Sequence, residues 1–134
     1  MSTAAGKSRT LARRLRVVVV DDDPETVVSL LAVLRAAGHD VQGYGSGQAA
    51  LKAMREFVPD VVISDLAMPA VSGFDLARQV RKSAGRPDRP LLIAISGAYT
   101  ESDDRVLMEQ AGFDHHLPKP CDHRRLLELI RQLG

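Results

Sequence analysis

The sequence is short of several things that would define other kinds of protein. Its single cysteine, Cys121, has no partner for an internal disulfide and suits a reducing compartment, so a cytoplasmic protein is predicted. No apolar run approaches the roughly 20 residues of a membrane span. The longest runs, at 17–20 and 91–95, are strand-sized. The chain does not open on an apolar core followed by a cleavage site, so no secretory signal is read. His39 and His115 lack Cys or His partners at zinc-binding spacing and are expected on the solvated surface. No repeat, low-complexity tract or interdomain linker follows residue 16.

What remains is one domain's worth of ordinary soluble composition, 45% hydrophobic and 26% charged over 134 residues. The net charge of +1 conceals an asymmetry. Lys7, Arg9, Arg13, Arg14 and Arg16 crowd the start without an acidic residue, which leaves the remainder net acidic. Residues 1–14 are read as a flexible basic leader, solvated rather than bound to nucleic acid, and residues 15–134 as the folded domain. The chain ends with its last predicted helix, so no attached output or DNA-binding domain is expected.

Short apolar runs alternate with helical periodicity. Residues 17–20 form the continuous β-branched run required of a strand buried on both faces. Asp23 and Pro24 suit the cap and first turn of a helix whose apolar face is Val27, Val28, Leu30, Leu31, Val33 and Leu34. Gly38 is a plausible left-handed stop. Further strands are predicted at 40–44, 61–64, 91–95 and 115–117. Helices are predicted at about 46–57, 73–82, 101–111 and 122–132. Five strands alternating with five helices imply an α/β fold: a doubly wound, five-stranded parallel sheet covered on both faces.

The charged residues gather where such sheets form sites, beyond the carboxyl ends of the strands. The first strand ends in Asp21 and Asp22, the third in Asp65 and the fourth in Ser96, while Lys119 follows the fifth. Carboxylates brought together repel one another unless a cation joins them. An all-oxygen donor set favours a hard divalent ion, here Mg²⁺ with Mn²⁺ as a substitute. A lysine and a hydroxyl opposite would complement the oxygens of a phosphoryl group. Asp65, on the central strand, is best placed as the carboxylate nucleophile.

At this point the residues resemble the receiver domain of response regulators, over about residues 15–133. The matching segments are VVVVDDDPE at 17–25, DVVISDLAMPAVSGFDL at 60–76, IAISGA at 93–98 and LPKP at 117–120. Four such segments in order, each at the end of a predicted strand, make a specific signal. The resemblance implies the flavodoxin-like strand order 2-1-3-4-5. It implies Asp65 as phosphoacceptor, with Asp22, Asp21 and the Ala67 backbone carbonyl serving the metal beside it. Lys119, Ser96 and Gly97 would hold the phosphoryl group, and Ser96 and His116 would act as switch residues.

The implied donor is a sensor histidine kinase or a histidine phosphotransfer domain. The implied output is a downstream protein on the face of the fourth helix, fifth strand and fifth helix, with a monomer or weak homodimer and no membrane partner. His116 stands where many receivers carry Tyr or Phe, which inclines the reading towards the hybrid-kinase and phosphorelay branch, beside a single-domain regulator. Ala67 and Ala98 are small where other receivers often place side chains near the attacking water. Lys119–Pro120 matches a bond that is typically cis in the family.

Other classes fit less well. An aspartyl-phosphate phosphohydrolase would want a general acid two residues beyond the nucleophile, where Ala67 stands. A flavodoxin-like cofactor binder would want a Ser/Thr/Gly-rich loop where Asp21–Asp23 lie. A degenerate receiver that acts as a protein-interaction module and no longer signals by phosphate stays open as an alternative. Asp23, Asp40, Asp75, Asp103 and Asp104 are read as caps or exposed helix-face charges. Cys121 is read as an inert residue at a helix start, and Met68 and Met108 as packing residues.

Overall fold

The computed structural model describes residues 14–84, 89–97 and 102–133. The expected leader, apart from Arg14, lies outside the described residues, as do Ala98 and the end of the loop that follows Ser96. In chain order the elements are β1 (Arg16–Val20), α1 (Pro24–Ala36), β2 (Asp40–Tyr44), α2 (Gly47–Ala53) and β3 (Val61–Asp65). There follow α3 (Gly73–Ser83), β4 (Leu91–Ser96), α4 (Ser102–Ala111), β5 (His115–Pro118) and α5 (His123–Leu133). All four strand pairings are parallel, and the order β2-β1-β3-β4-β5 is the one expected.

The strands are continuous apolar runs because both faces of the sheet are covered. Val17, Val19, Val61, Ile63, Ile93 and Ile95 point to one side, where Leu30 and Leu34 of α1 and Leu126, Leu129 and Ile130 of α5 pack on them. Val18, Val20, Val62, Leu92 and Ala94 point to the other side, under Ala50 of α2, Leu76, Ala77 and Val80 of α3 and Met108 of α4. Successive strand residues thus serve opposite layers, as the period-2 pleat requires. Gly43 in β2 permits the close approach of α1, since a Cβ there would lie 2.5 Å from Val27 Cγ1.

Several boundaries and faces differ from expectation for local reasons. The second helix ends at Ala53, four residues earlier than its apolar pattern suggests. Arg55 and Glu56 donate to carbonyls three residues back, tightening the chain into a turn before Val58–Pro59, where a residue preceding proline disfavours helix. Asp122 stands outside α5 as its cap, its carboxylate accepting the Arg124 and Arg125 amides at 3.0 and 3.2 Å. Asp40 opens β2 and belongs to no helix. Val28 of α1 is 66% exposed and Ala49 is also exposed, because the helices bury a narrower stripe than their apolar residues span. Gly38, at φ +95°, closes α1 as expected.

His39 is the clearest correction. It is buried, and its Nδ1 accepts the Leu15 amide at 3.2 Å, tying the entry of β1 to the turn before β2. Burial lowers its pKa from the ordinary 6.5. Protonation would place a hydrogen on the nitrogen that must accept. Below about pH 6.5 the unfolded chain therefore binds the imidazole proton more readily than the folded one, and stability falls as pH drops. In urea unfolding the wild type is expected to lose more stability between pH 7.5 and 5.5 than His39→Gln, which offers an acceptor that does not titrate. Equal losses in the two proteins would remove His39 as the cause.

Candidate functional site

The carboxyl ends of β1 and β3 bring three carboxylates together. One oxygen from each of Asp21, Asp22 and Asp65 falls within a cluster no more than 4.8 Å across. Asp21 is fully buried, Asp65 is 6% exposed and Asp22 faces solvent. The third residue of the acidic triplet is used differently. Asp23 caps α1, accepting the Glu25 amide at 3.1 Å and the Thr26 hydroxyl at 3.0 Å. Its own amide donates to Asp21 Oδ1 at 2.9 Å, so the start of α1 orients the buried carboxylate.

Lys119, just beyond β5, reaches across this cluster. Its Nζ lies 2.8 Å from Asp21 Oδ2 and 3.5 Å from Asp65 Oδ2. Its backbone amide donates to the Ser96 carbonyl at 3.1 Å, which fixes the lysine beside the end of β4. Burial works against the lysine charge, but hydrogen bonds and fields from Asp21 and Asp65 outweigh it and raise the Lys119 pKa. Burial, then the field of Asp21, raise the Asp65 pKa, while Lys119 and the Leu66 and Ala67 amides pull it down. The Lys119–Pro120 peptide bond is cis, as is Arg89–Pro90.

The segment after Asp65 is shaped by backbone contacts. Asp65 Oδ1 accepts the Leu66 amide at 2.8 Å, leaving Oδ2 on the Lys119 side. Ala67 is exposed, Met68 is buried as an anchor, and Ala70 takes a left-handed φ of 65°. Gly73 donates its amide to the Leu66 carbonyl at 2.9 Å and passes so close that a Cβ would lie 2.2 Å from the Asp65 carbonyl oxygen. Only glycine fits where α3 begins against the end of β3.

Of the residues singled out in the sequence, Asp21, Asp22, Asp65 and Lys119 meet directly. Ser96 is buried at the end of β4 and Gly97 is exposed beside Lys119. His116 sits apart on β5, paired with Ala94, under α4. Burial, then Arg105, lower its pKa, opposed by Asp104. Cys121 packs partly against the core, and its thiol pKa is raised by burial and by Asp122, which fits an unreactive residue. The role of Gly73 was not assigned from sequence beyond its match to a motif; a glycine opening a helix directly after a site loop was the available signal.

The donor set fits Mg²⁺: oxygen ligands only, and one exposed carboxylate facing water. Chain comparisons agree with this geometry. The family model described as the response regulator receiver domain matches residues 17–131. The DNA-binding response regulator MtrA of Mycolicibacterium smegmatis is 38% identical over 118 residues, covering 88% of this chain and 50% of that protein. This chain therefore spans about half the length of the MtrA relatives it matches. Protein PilH of Pseudomonas aeruginosa is 33% identical over 115 residues, covering 86% of this chain and 93% of PilH.

Among solved structures, the chemotaxis protein CheY4 of Vibrio cholerae superposes with a TM-score of 0.83 at 24% identity, covering 91% of this chain and all of that one. A CheY-like receiver domain protein from Methanospirillum hungatei gives 0.79 at 25% identity, covering 90% and 93%. The first of these bears on the fold alone.

Gly73→Ala is expected to push the start of α3 off Asp65 and to destabilise the chain by roughly 1–3 kcal/mol through overpacking. Denaturant unfolding measures the loss, and amide shifts of Leu66 and Asp65 should move with it. An unchanged midpoint would contradict the close approach.

Proposed function

The chain belongs to the response regulator receiver domain family, and from that premise we propose that it is an Mg²⁺-dependent phospho-switch whose acceptor is Asp65. The observation that carries this reading is the Lys119 ammonium lying 2.8 Å from Asp21 and 3.5 Å from Asp65, amid carboxylates from the ends of two neighbouring strands. A carboxylate cluster, a cation opposite it and a nearby hydroxyl are the parts needed for phosphoryl transfer, which depends on positioning and charge neutralisation.

In this reading Asp22 would hold the ion directly and Asp21 mostly through water, and the Asp65 carboxylate and the Ala67 carbonyl would complete the protein ligands. When bound, Mg²⁺ (or Mn²⁺) offsets the charge on the phosphoryl oxygens. A carboxylate oxygen of Asp65 attacks the phosphorus of a phosphohistidine, the new O–P bond forming as the N–P bond breaks and imidazole leaves. Lys119 pairs with one phosphoryl oxygen, and the Ser96 hydroxyl and Gly97 amide serve others. The product carries roughly 1.5–2 negative charges at pH 7 where a carboxylate stood. Ser96 and His116 then report that charge to the face formed by α4, β5 and α5.

The donor is a sensor histidine kinase or a phosphotransfer domain in the cytoplasm, and a downstream protein reads the switched face. His116 supports the hybrid-kinase and phosphorelay branch, beside a single-domain regulator. Catalysis is limited to the chain's own phosphorylation and dephosphorylation. Ala67, exposed and without an acidic group, gives no support to a phosphohydrolase. Chain association is at most a weak homodimer.

Incubation with Mg²⁺ and acetyl phosphate or phosphoramidate is expected to add the mass of one phosphoryl group, seen by intact mass spectrometry. The gain should vanish without Mg²⁺ and in Asp65→Ala. Equal labelling of the Asp65→Ala chain would place the acceptor elsewhere. Ala67 leaves the attacking water unguided, so Ala67→Asn is expected to alter the dephosphorylation rate several-fold, as changes in water-orienting groups do. An unaltered decay of the labelled species would show that this position does not set its lifetime.

A further inference from the structure

Helix α2 ends at Ala53, whereas α3 runs on to Ser83. The last turn of α3 therefore faces the irregular chain at 54–60 instead of another helix, and a groove of about 510 Å³ is left between them. Leu51 and Met54 form one wall and Val80 the other, with Pro59 and Pro90 from the chain that enters β3 and β4. Val80 and both prolines are buried, while Val58, a further lining residue, is 63% exposed. Sites for small molecules combine an apolar lining of this kind, in a hollow of roughly 300–1,000 Å³, with a few polar groups. Residues 85–88, between Ala84 and Arg89 on the rim, lie outside the described residues and are not counted in the site.

The polar groups of the groove are unevenly charged. Arg55 and Arg89 line it against a single carboxylate, Asp60. That carboxylate is already engaged: Oδ2 accepts the Arg16 amide at 2.8 Å, and Oδ1 lies 3.4 Å from Arg89 Nη1. The second contact is long beside the roughly 2.7–2.9 Å of a strong charge-assisted bond, and it leaves the other donors of the Arg89 fork for another acceptor. Arg55 is exposed, and its side chain has no hydrogen-bond or ionic partner among the described residues. Gln79 and Ser83, one turn apart on α3, add an amide and a hydroxyl. Solvated arginines alone would mark nothing. Two on one apolar hollow, with one acid between them, complement a carboxylate carried on an apolar body.

We propose that the groove between α2 and α3 binds a small free amphipathic acid, its apolar body on Leu51, Met54 and Val80 and its carboxylate answered by Arg55 and Arg89. A neutral molecule of the same shape leaves the guanidinium groups without a new partner, and a cationic one is repelled by them. The groove borders the starts of β3 and β4, at the opposite end of the sheet from Asp65, so the proposal stands apart from the phosphoacceptor reading.

Three probes with the same octyl chain test it on the full chain: octanoate, octan-1-ol and octylammonium. Methyl NMR of labelled Leu, Met and Val follows each titration. Octanoate should give saturable shifts at Leu51, Met54 and Val80 and bind roughly 10-fold more tightly than octylammonium, the effect of one hydrogen bond to a charged group. Octan-1-ol should fall between them. Arg55→Gln, a change at an exposed side chain, should reduce the preference for octanoate, and Arg55→Gln with Arg89→Gln should abolish it while the octan-1-ol shifts persist. Equal binding of all three probes to the wild type would reduce the groove to an apolar hollow and overturn the proposal. So would octanoate shifts confined to other methyls, or no response at these three up to millimolar probe. Shifts at these methyls that follow protein concentration and ignore octanoate would assign the groove to a second copy of the chain and overturn it as well.

Discussion

The structure turns on a confined excess of negative charge. Asp21, Asp22 and Asp65 place oxygens within 4.8 Å of one another, two of the three side chains are buried, and a single ammonium answers them. Burial first, and then the charge of Asp21, raise the Asp65 pKa despite its lysine and two amide donors. In the proposed function a divalent cation would relieve the repulsion and a phosphoryl group would restore negative charge at the same place, so that binding, reaction and switching would be successive ways of balancing one cluster.

The parallel sheet is what holds that cluster in place. Because β1, β3, β4 and β5 run the same way, their carboxyl ends lie side by side, and each ends at or one residue before a residue of the candidate site: Asp21, Asp65, Ser96 and Lys119. Backbone contacts then refine the arrangement. The start of α1 orients Asp21, Gly73 brings α3 against Asp65, and the Lys119 amide hangs the lysine from Ser96. At the opposite, amino end of the sheet Arg81 of α3 and Asp114 tie α3 to the end of α4 and to the starts of β4 and β5.

Much of this was legible in the sequence because it depends on local signals. A β-branched run buried on both faces announces a parallel strand, and acids at the ends of such runs announce a site at the edge of the sheet. Strand order came through the resemblance of four motifs, which also implies the residue roles proposed above. What was not legible depends on partners far along the chain. His39 looked like a surface histidine because nothing near it predicts that Leu15 will offer it an amide 24 residues away. Nothing local marks Arg81 either, since its partners lie 9 to 33 residues on. The narrower buried stripe of α1, which leaves Val28 outside, is set by how the helix rolls on the sheet, and periodicity alone does not fix that angle.

The central claim is that the acidic cluster and Lys119 form a phosphoryl-binding site around Asp65. Fluorine-19 NMR of the full chain with beryllium fluoride tests it without depending on a donor or on the lifetime of a phosphorylated product. The account predicts one bound fluoride species per chain that requires Mg²⁺ and is lost in Asp65→Ala. A chain that gives no bound signal with Mg²⁺ present, or one that persists in Asp65→Ala, would contradict it.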